Sequence, residues 1–246
     1  MFRLDGKAAL VTGATGGIGA AIARALHAQG AEVALTGRRE SELAALAEAL
    51  GERVTVIPAD LSDPEAPAAL VEKVEAELGG LDILVNNAGK QTAVKAIAEL
   101  TTEQFDATFR TNVYAMFWIT KAALPHMPPG AAIINTTSIQ AMNPSPSLLD
   151  YAPTKAAIMN FTKALAKQVA EKGIRVNAVA PGPYWTPLQS SGGQPQEKVQ
   201  QFGADTPLGR PGQPVEIAPL YVLLASEECS YASGQVWCSD GGTGVA

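Results

Sequence analysis

Seven short apolar runs recur along the chain: KAALVT, EVALT, RVTVIPAD, LDILVNNAG, AAIINTTS, IRVNAVAPG and GQVWCSD. Between them lie segments of helical periodicity: 17–30, 40–51, 67–78, 102–124, 151–172 and 215–225. The runs are apolar nearly throughout rather than every second residue. Strands of that kind are buried on both faces, as in a parallel sheet covered by helices. Strand–helix alternation therefore predicts an α/β fold, a doubly wound parallel sheet of about seven strands with helices on both faces. No internal repeat and no linker divides the 246 residues, so one domain is expected.

That fold directs attention to the carboxyl ends of the strands, where open α/β sheets bind ligands. The first run ends in TGATGGIG, Thr12 to Gly19, which opens the first helix. Glycine lets a phosphate approach the backbone in a tight turn. The helix N-terminus adds free N–H groups and a positive dipole end. A dinucleotide pyrophosphate is thus expected against Gly13, Thr15, Gly16, Gly17, Ile18 and Gly19. The second run ends in Gly37-Arg38-Arg39. An acidic residue there would hydrogen-bond the adenosine ribose. Glycine followed by two guanidinium groups suits a phosphate instead, which predicts NADP(H) as cofactor.

Charge and composition exclude other classes. Eighteen basic and 24 acidic residues give a net charge of −6, which disfavours nucleic-acid binding. No apolar run is long enough to span a membrane. The N-terminal MFRLDGKAALVTG lacks a secretory pattern, so a cytoplasmic protein is expected. Cys229 and Cys238 form no CxxC pair. With His27 and His126 the only histidines, no metal site is expected.

Tyr151 and Lys155 stand four residues apart at the start of a helix, and so share one face. Ser138 ends the fifth run. The spaced set TGATGGIG, NNAG (Asn86 to Gly89), Asn112, Ser138, Tyr151-x-x-x-Lys155 and Pro181-Gly182 resembles the short-chain dehydrogenase/reductase family over the whole chain. The first half is similar to 3-oxoacyl-[acyl-carrier-protein] reductases. The second half resembles the glucose/ribitol-dehydrogenase-like stress branch.

The resemblance implies a Rossmann-type domain that interconverts a ketone and a secondary alcohol. It implies Ser138, Tyr151, Lys155 and Asn112 as the catalytic set: Tyr151 as proton donor, Lys155 as its tuner and ribose clamp, Ser138 at the substrate oxygen, and Asn112 holding a proton-relay water. A phenol needs such tuning, since its ordinary pKa is about 10. The resemblance further implies that Asp60 and Leu61 line the adenine site and that Asn87, Ala88 and Gly89 lie beside the adenosine ribose. Pro181, Gly182 and Thr186 would hold the nicotinamide carboxamide. Asp63, before Pro64, is the better cap of the next helix, leaving Asp60 to a ligand.

Gln140, Leu148, Leu149, Tyr184 and Trp185 are the expected substrate pocket. The Gly/Pro-rich stretch 186–206 is a candidate mobile lid. A small-molecule carbonyl substrate and a homotetramer are expected. Two alternatives stay open. One is an acyl-carrier-protein reductase of fatty-acid synthesis, with Arg110 and Lys121 as docking cations. The other is a non-catalytic nucleotide sensor.

Overall fold

The computed structural model describes residues 1–188 and 200–244. Seven parallel strands form one sheet: β1 Ala8–Thr12, β2 Glu32–Thr36, β3 Val54–Val56, β4 Ile83–Asn86, β5 Ala132–Thr136, β6 Arg175–Pro181 and β7 Val236–Ser239. Their order is β3-β2-β1-β4-β5-β6-β7. The sheet winds outward from β1 in one direction and from β4 in the other. The crevice between β1 and β4 is therefore the topological switch point, where such sheets receive ligands. The predicted doubly wound α/β class is borne out.

The α-helices lying wholly among the described residues are α1 Gly17–Ala28, α2 Glu40–Leu50, α3 Ala66–Leu78, α4 Thr102–Phe109, α5 Ala115–Ala123, α6 Tyr151–Val169 and α7 Pro214–Ala225. Each strand sends alternate residues to opposite faces. Ala9, Val11, Val33, Leu35 and Val85 face one core with Ile22 and Leu26 of α1, Leu43 of α2 and Ile217 of α7. Leu10, Ala34, Leu84 and Ile133 face the other core with Val71 of α3, Ile119 of α5 and Leu165 of α6. Two cores explain why the strand runs read as continuously apolar.

The helix expected over 102–124 is not uniform. Thr101 caps α4 through a reciprocal pair with Gln104. A π-helical turn over Arg110–Tyr114 then joins α4 to α5. Such widened turns concentrate at functional sites, and Asn112 sits inside this one. In α6, Pro153 falls in the first turn, where its missing N–H costs no helical bond. Thr154, Lys155, Ile158, Thr162, Leu165 and Val169 form the buried stripe of α6.

Candidate active site

The glycine turn after β1 is shaped by close approaches. Gly13 has φ +63°, and a Cβ there would stand 2.9 Å from the Ala88 Cα. A Cβ on Gly19 would stand 2.1 Å from the Gly13 carbonyl oxygen. Backbone thus packs on backbone between β1, α1 and the end of β4. Thr12 Oγ1 fastens the same junction. It donates to the Val85 carbonyl at 3.1 Å and accepts from the Asn87 and Ala88 amides at 2.8 and 3.1 Å. Asn87 Nδ2 reaches the Thr12 carbonyl at 3.1 Å. The N-terminus of α1 has no side-chain cap and no acidic residue in its first turn, so its orphan donors suit an anion.

At the end of β2 the two arginines differ. Arg39 donates to Thr15 Oγ1 and the Thr15 carbonyl at 2.8 and 3.0 Å, and pairs with Glu42 at 2.8 Å. Arg38 is exposed, and among the described residues no hydrogen bond or ion pair engages its guanidinium. Its charge is felt by Asp60. Asp60 is not wholly free, as the sequence reading expected. Its Oδ1 accepts from the Ser62 amide and hydroxyl at 3.0 and 2.8 Å, and these bonds hold its carboxyl below the usual carboxylate range. Asp63 accepts from the Glu65 amide at 3.0 Å, near the start of α3.

Tyr151 and Lys155 project from the first turn of α6. Lys155 is 2% exposed; its Nζ donates to the Thr136 carbonyl at 2.8 Å and lies 5.2 Å from the centre of the Tyr151 ring. Burial lowers the Lys155 pKa to about 7. Burial also raises the Tyr151 pKa to about 12; hydrogen bonding with Ser138 lowers it, and the buried Asp150 raises it. Loss of solvent thus dominates the Tyr151 shift, opposite in direction to the tuning expected from the ammonium. Ser138 Oγ accepts from the Gln140 amide at 3.2 Å and reaches the Pro181 carbonyl at 3.4 Å.

A single cleft of about 930 Å³ runs along these strand ends. Every expected cofactor residue lines it, from Gly13 through Thr186, together with Ser138, Tyr151 and Lys155. Gln140, Leu148 and Tyr184 line it as well.

Three expected residues do not. Asn112 lies behind the wall: its Oδ1 accepts from the Lys90 amide at 2.7 Å, and its Nδ2 donates to the Lys90 carbonyl and Thr154 Oγ1, both at 2.9 Å. These bonds fix the Asn112 side chain to the loop that follows β4 and to α6. Leu149 is outside the lining, whereas its neighbour Leu148 is within it. Trp185 is 46% exposed and stacks beside Phe202, with ring centres 6.3 Å apart. Its amide donates to the Gly212 carbonyl at 2.9 Å. Of the expected lid 186–206, residues 186–188, 201–203, 205 and 206 line the cleft, while 189–199 lie outside the described residues.

Gln91, Thr136, Thr137, Ser145 and Ser147 also line the cleft and were not foreseen. Thr136 and Thr137 close β5, so the strand-end rule alone could have flagged them. Neither histidine lines it: His27 bonds the Glu52 carbonyl and His126 pairs with Glu75. Cys229 and Cys238 are free thiols. Among the described residues, no helix is long and apolar enough to cross a membrane.

A parallel sheet with its switch-point cleft, a glycine turn at one end and Ser, Tyr and Lys at the other define an oxidoreductase site. The chain belongs to the short-chain dehydrogenase/reductase family. Residues 13–244 match a family model described as Enoyl-(Acyl carrier protein) reductase. The uncharacterized oxidoreductase YghA of Escherichia coli (strain K12) is 53% identical, over 95% of this chain and 81% of its own. The glucose and ribitol dehydrogenase of Daucus carota is 44% identical, over 98% and 86%. Among solved structures, a short chain dehydrogenase from Burkholderia cenocepacia J2315 in complex with NADP superimposes with a TM-score of 0.89 at 36% identity, covering 98% of both chains. A 3-ketoacyl-(acyl-carrier-protein) reductase from Brucella melitensis complexed with NADH gives 0.90 at 31%, covering 98% of this chain and 99% of its own. Neighbours thus hold NADP or NADH.

Proposed function

We propose that the chain interconverts a ketone and a secondary alcohol, using NADP(H), with Tyr151 as proton donor. The observation that carries this reading is the convergence of Ser138, Tyr151 and Lys155 on the cleft that begins at the Gly13 turn. The residues fit the cofactor: a backbone cradle that admits no Cβ at Gly13 or Gly19, an uncapped α1 N-terminus, and an exposed guanidinium at Arg38. Gly13 to Gly19 would hold the pyrophosphate, Arg38 the adenosine 2′-phosphate, and Lys155 the nicotinamide ribose. Asp60 and Leu61 would border the adenine, Asn87 to Gly89 the adenosine ribose, and Pro181, Gly182 and Thr186 the carboxamide. The bound nicotinamide supplies the hydride.

The chain's own groups manage the proton. With its pKa raised to about 12, the Tyr151 phenol carries its proton at neutral pH. It can pass that proton to a carbonyl oxygen as negative charge develops there. The Ser138 hydroxyl orients the same oxygen. The Lys155 ammonium beside the ring stabilises the phenolate left behind. Asn112 acts indirectly, by fixing Lys90 and Thr154 around this centre.

The likeness to a 3-ketoacyl-(acyl-carrier-protein) reductase favours a second reading, reduction of the 3-oxo group of an acyl chain carried on an acyl carrier protein. One of its expected docking cations is already engaged, since Arg110 pairs with Asp106 at 3.7 Å. Free thiols at Cys229 and Cys238 support a cytoplasmic location. Exposed Phe105, Tyr114 and Phe117 on and between α4 and α5 support assembly of copies, and light scattering at the tetramer mass is the expected result. The function itself is tested by following NADPH oxidation with a panel of small ketones and an acyl-carrier β-ketothioester. Turnover of small ketones is expected. Turnover of the thioester alone would replace this reading with the second.

A further inference from the structure

Asp150 stands directly before Tyr151 and is 0% exposed. Its surroundings give it none of the usual tasks of an aspartate. At a helix N-terminus an aspartate ordinarily caps the first free amides. Asp150 holds that position on α6, yet its side chain makes no cap bond. Among the described residues no ion pair engages it either: Lys155 donates to the Thr136 carbonyl, and Arg110 pairs with Asp106 at 3.7 Å. Oδ2 accepts from the Thr108 hydroxyl of α4, while the buried Oδ1 has no partner. A buried carboxyl left half-satisfied costs stability. Kept beside a proton donor, it points to an electrostatic task.

The fold fixes where this carboxyl sits. The α6 N-terminus presents its positive dipole end to it. The Thr108 bond ties it to α4, just ahead of the widened turn at Arg110–Tyr114. Few other charges reach the spot. Asp150, Lys155 and Arg175 are the charged side chains buried among the described residues. Arg175 of β6 bonds four carbonyls, those of Leu224, Ala225, Ser226 and Cys229. On the elements packed against the start of α6, Glu103, Asp106 and Tyr114 are exposed, so water and salt screen them. Lys90 and Arg110 are half-buried. Burial pushes the Tyr221 phenol of α7 up, which leaves it neutral. Asp150 and Lys155 thus flank Tyr151 in an interior where charges act more strongly than in water.

We propose that Asp150 is a positioning residue that acts through Tyr151, setting against Lys155 the pH at which the phenol yields its proton. The ammonium favours the phenolate and the carboxylate disfavours it. Burial is the main cause of the raised Tyr151 pKa; the Ser138 bond opposes it and Asp150 adds to it. The proposal rests on Tyr151 as the proton donor.

The test compares wild type with Asp150→Asn, which keeps the shape and an acceptor for Thr108 but removes the charge. Alkaline titration of the phenolate by ultraviolet difference absorbance, with Tyr151→Phe as the blank, should move down by about one pH unit. The climbing limb of NADP-linked oxidation, with the alcohol matching the fastest ketone of the panel above, should move the same way. At about pH 8 its kcat/KM should rise roughly 3-fold, less than the titration moves because a weaker base accepts a proton less readily. A merely structural aspartate would lower both rates and move neither curve. Asp150→Ser, neutral and a favoured helix cap, serves where the asparagine variant does not fold. A phenolate titration that stays put or moves up in a folded variant overturns the proposal and leaves Tyr151 as the donor. A lowered titration with an unmoved oxidation limb overturns Tyr151 as the donor, and this proposal with it. Loss of the fold in both variants makes Asp150 a structural support and overturns the proposal as well.

Discussion

Lys155 Nζ lies 5.2 Å from the centre of the Tyr151 ring, and burial drives the two groups in opposite directions. The phenol rises to about 12 and the ammonium falls to about 7. The pair at the first turn of α6 therefore holds a firmly protonated donor beside a cation close to its titration point at neutral pH.

This has a consequence for stability. Lys155 falls from an ordinary value of 10.5 to about 7 in the folded chain. Between those values the unfolded chain binds more protons than the folded one, so the lysine's contribution to stability rises with pH across that window and is lost as pH falls. Urea unfolding of wild type and Lys155→Met should show the wild type gaining on the variant between about pH 7 and about pH 9.5. A constant difference would mean that Lys155 titrates normally.

The same pair gives the two reaction directions different pH profiles. Carbonyl reduction needs the protonated phenol, which is present throughout the neutral range. Alcohol oxidation needs the phenolate, which a pKa raised to about 12 makes scarce at neutral pH. Oxidation kcat/KM should therefore climb with pH, while reduction should hold below about pH 7 and fall above it as Lys155 loses the charge that stabilises the phenolate. Steady-state rates in both directions would check this; a falling oxidation limb would point to another base.

Cofactor choice should rest on Arg38 more than on Arg39, because Arg39 is already tied to Thr15 and Glu42. Arg38→Ala is expected to raise KM for NADPH by roughly 10- to 100-fold, the range for a lost hydrogen bond to a charged group, with little change for NADH. Gly37 has room for a side chain: a Cβ there would stand 3.6 Å from Thr15 Oγ1, an ordinary contact. Gly37→Asp should thus shift preference toward NADH by placing a carboxylate against the phosphate. Parallel kinetics with both cofactors would decide it.

Much of this arrangement was legible because it is local. The strands announce themselves by short apolar runs, the Gly13–Gly19 turn by its glycines, and the Tyr151–Lys155 pair by its spacing. What was not legible depends on contacts far along the chain. Asn112 turns to Lys90, and Arg39 to Thr15, across separations that periodicity does not carry. Burial reverses the tuning expected for Tyr151, since desolvation is a property of the packed cleft.

The glycine cradle makes a structural prediction. Gly19→Ala would force its Cβ against the Gly13 carbonyl oxygen. The variant should unfold at lower denaturant by roughly 1–3 kcal/mol, the range for overpacking, and bind NADPH more weakly. Chemical denaturation with cofactor titration by fluorescence would measure both.

The central claim is that Tyr151 delivers the proton. Tyr151→Phe removes one oxygen and keeps the ring beside Lys155. NADPH titration by fluorescence, with carbonyl reduction measured on the same preparation, should show binding retained and kcat reduced by about 10²- to 10⁴-fold, the range for a lost general acid. Wild-type kcat in a variant that still binds NADPH would contradict the account.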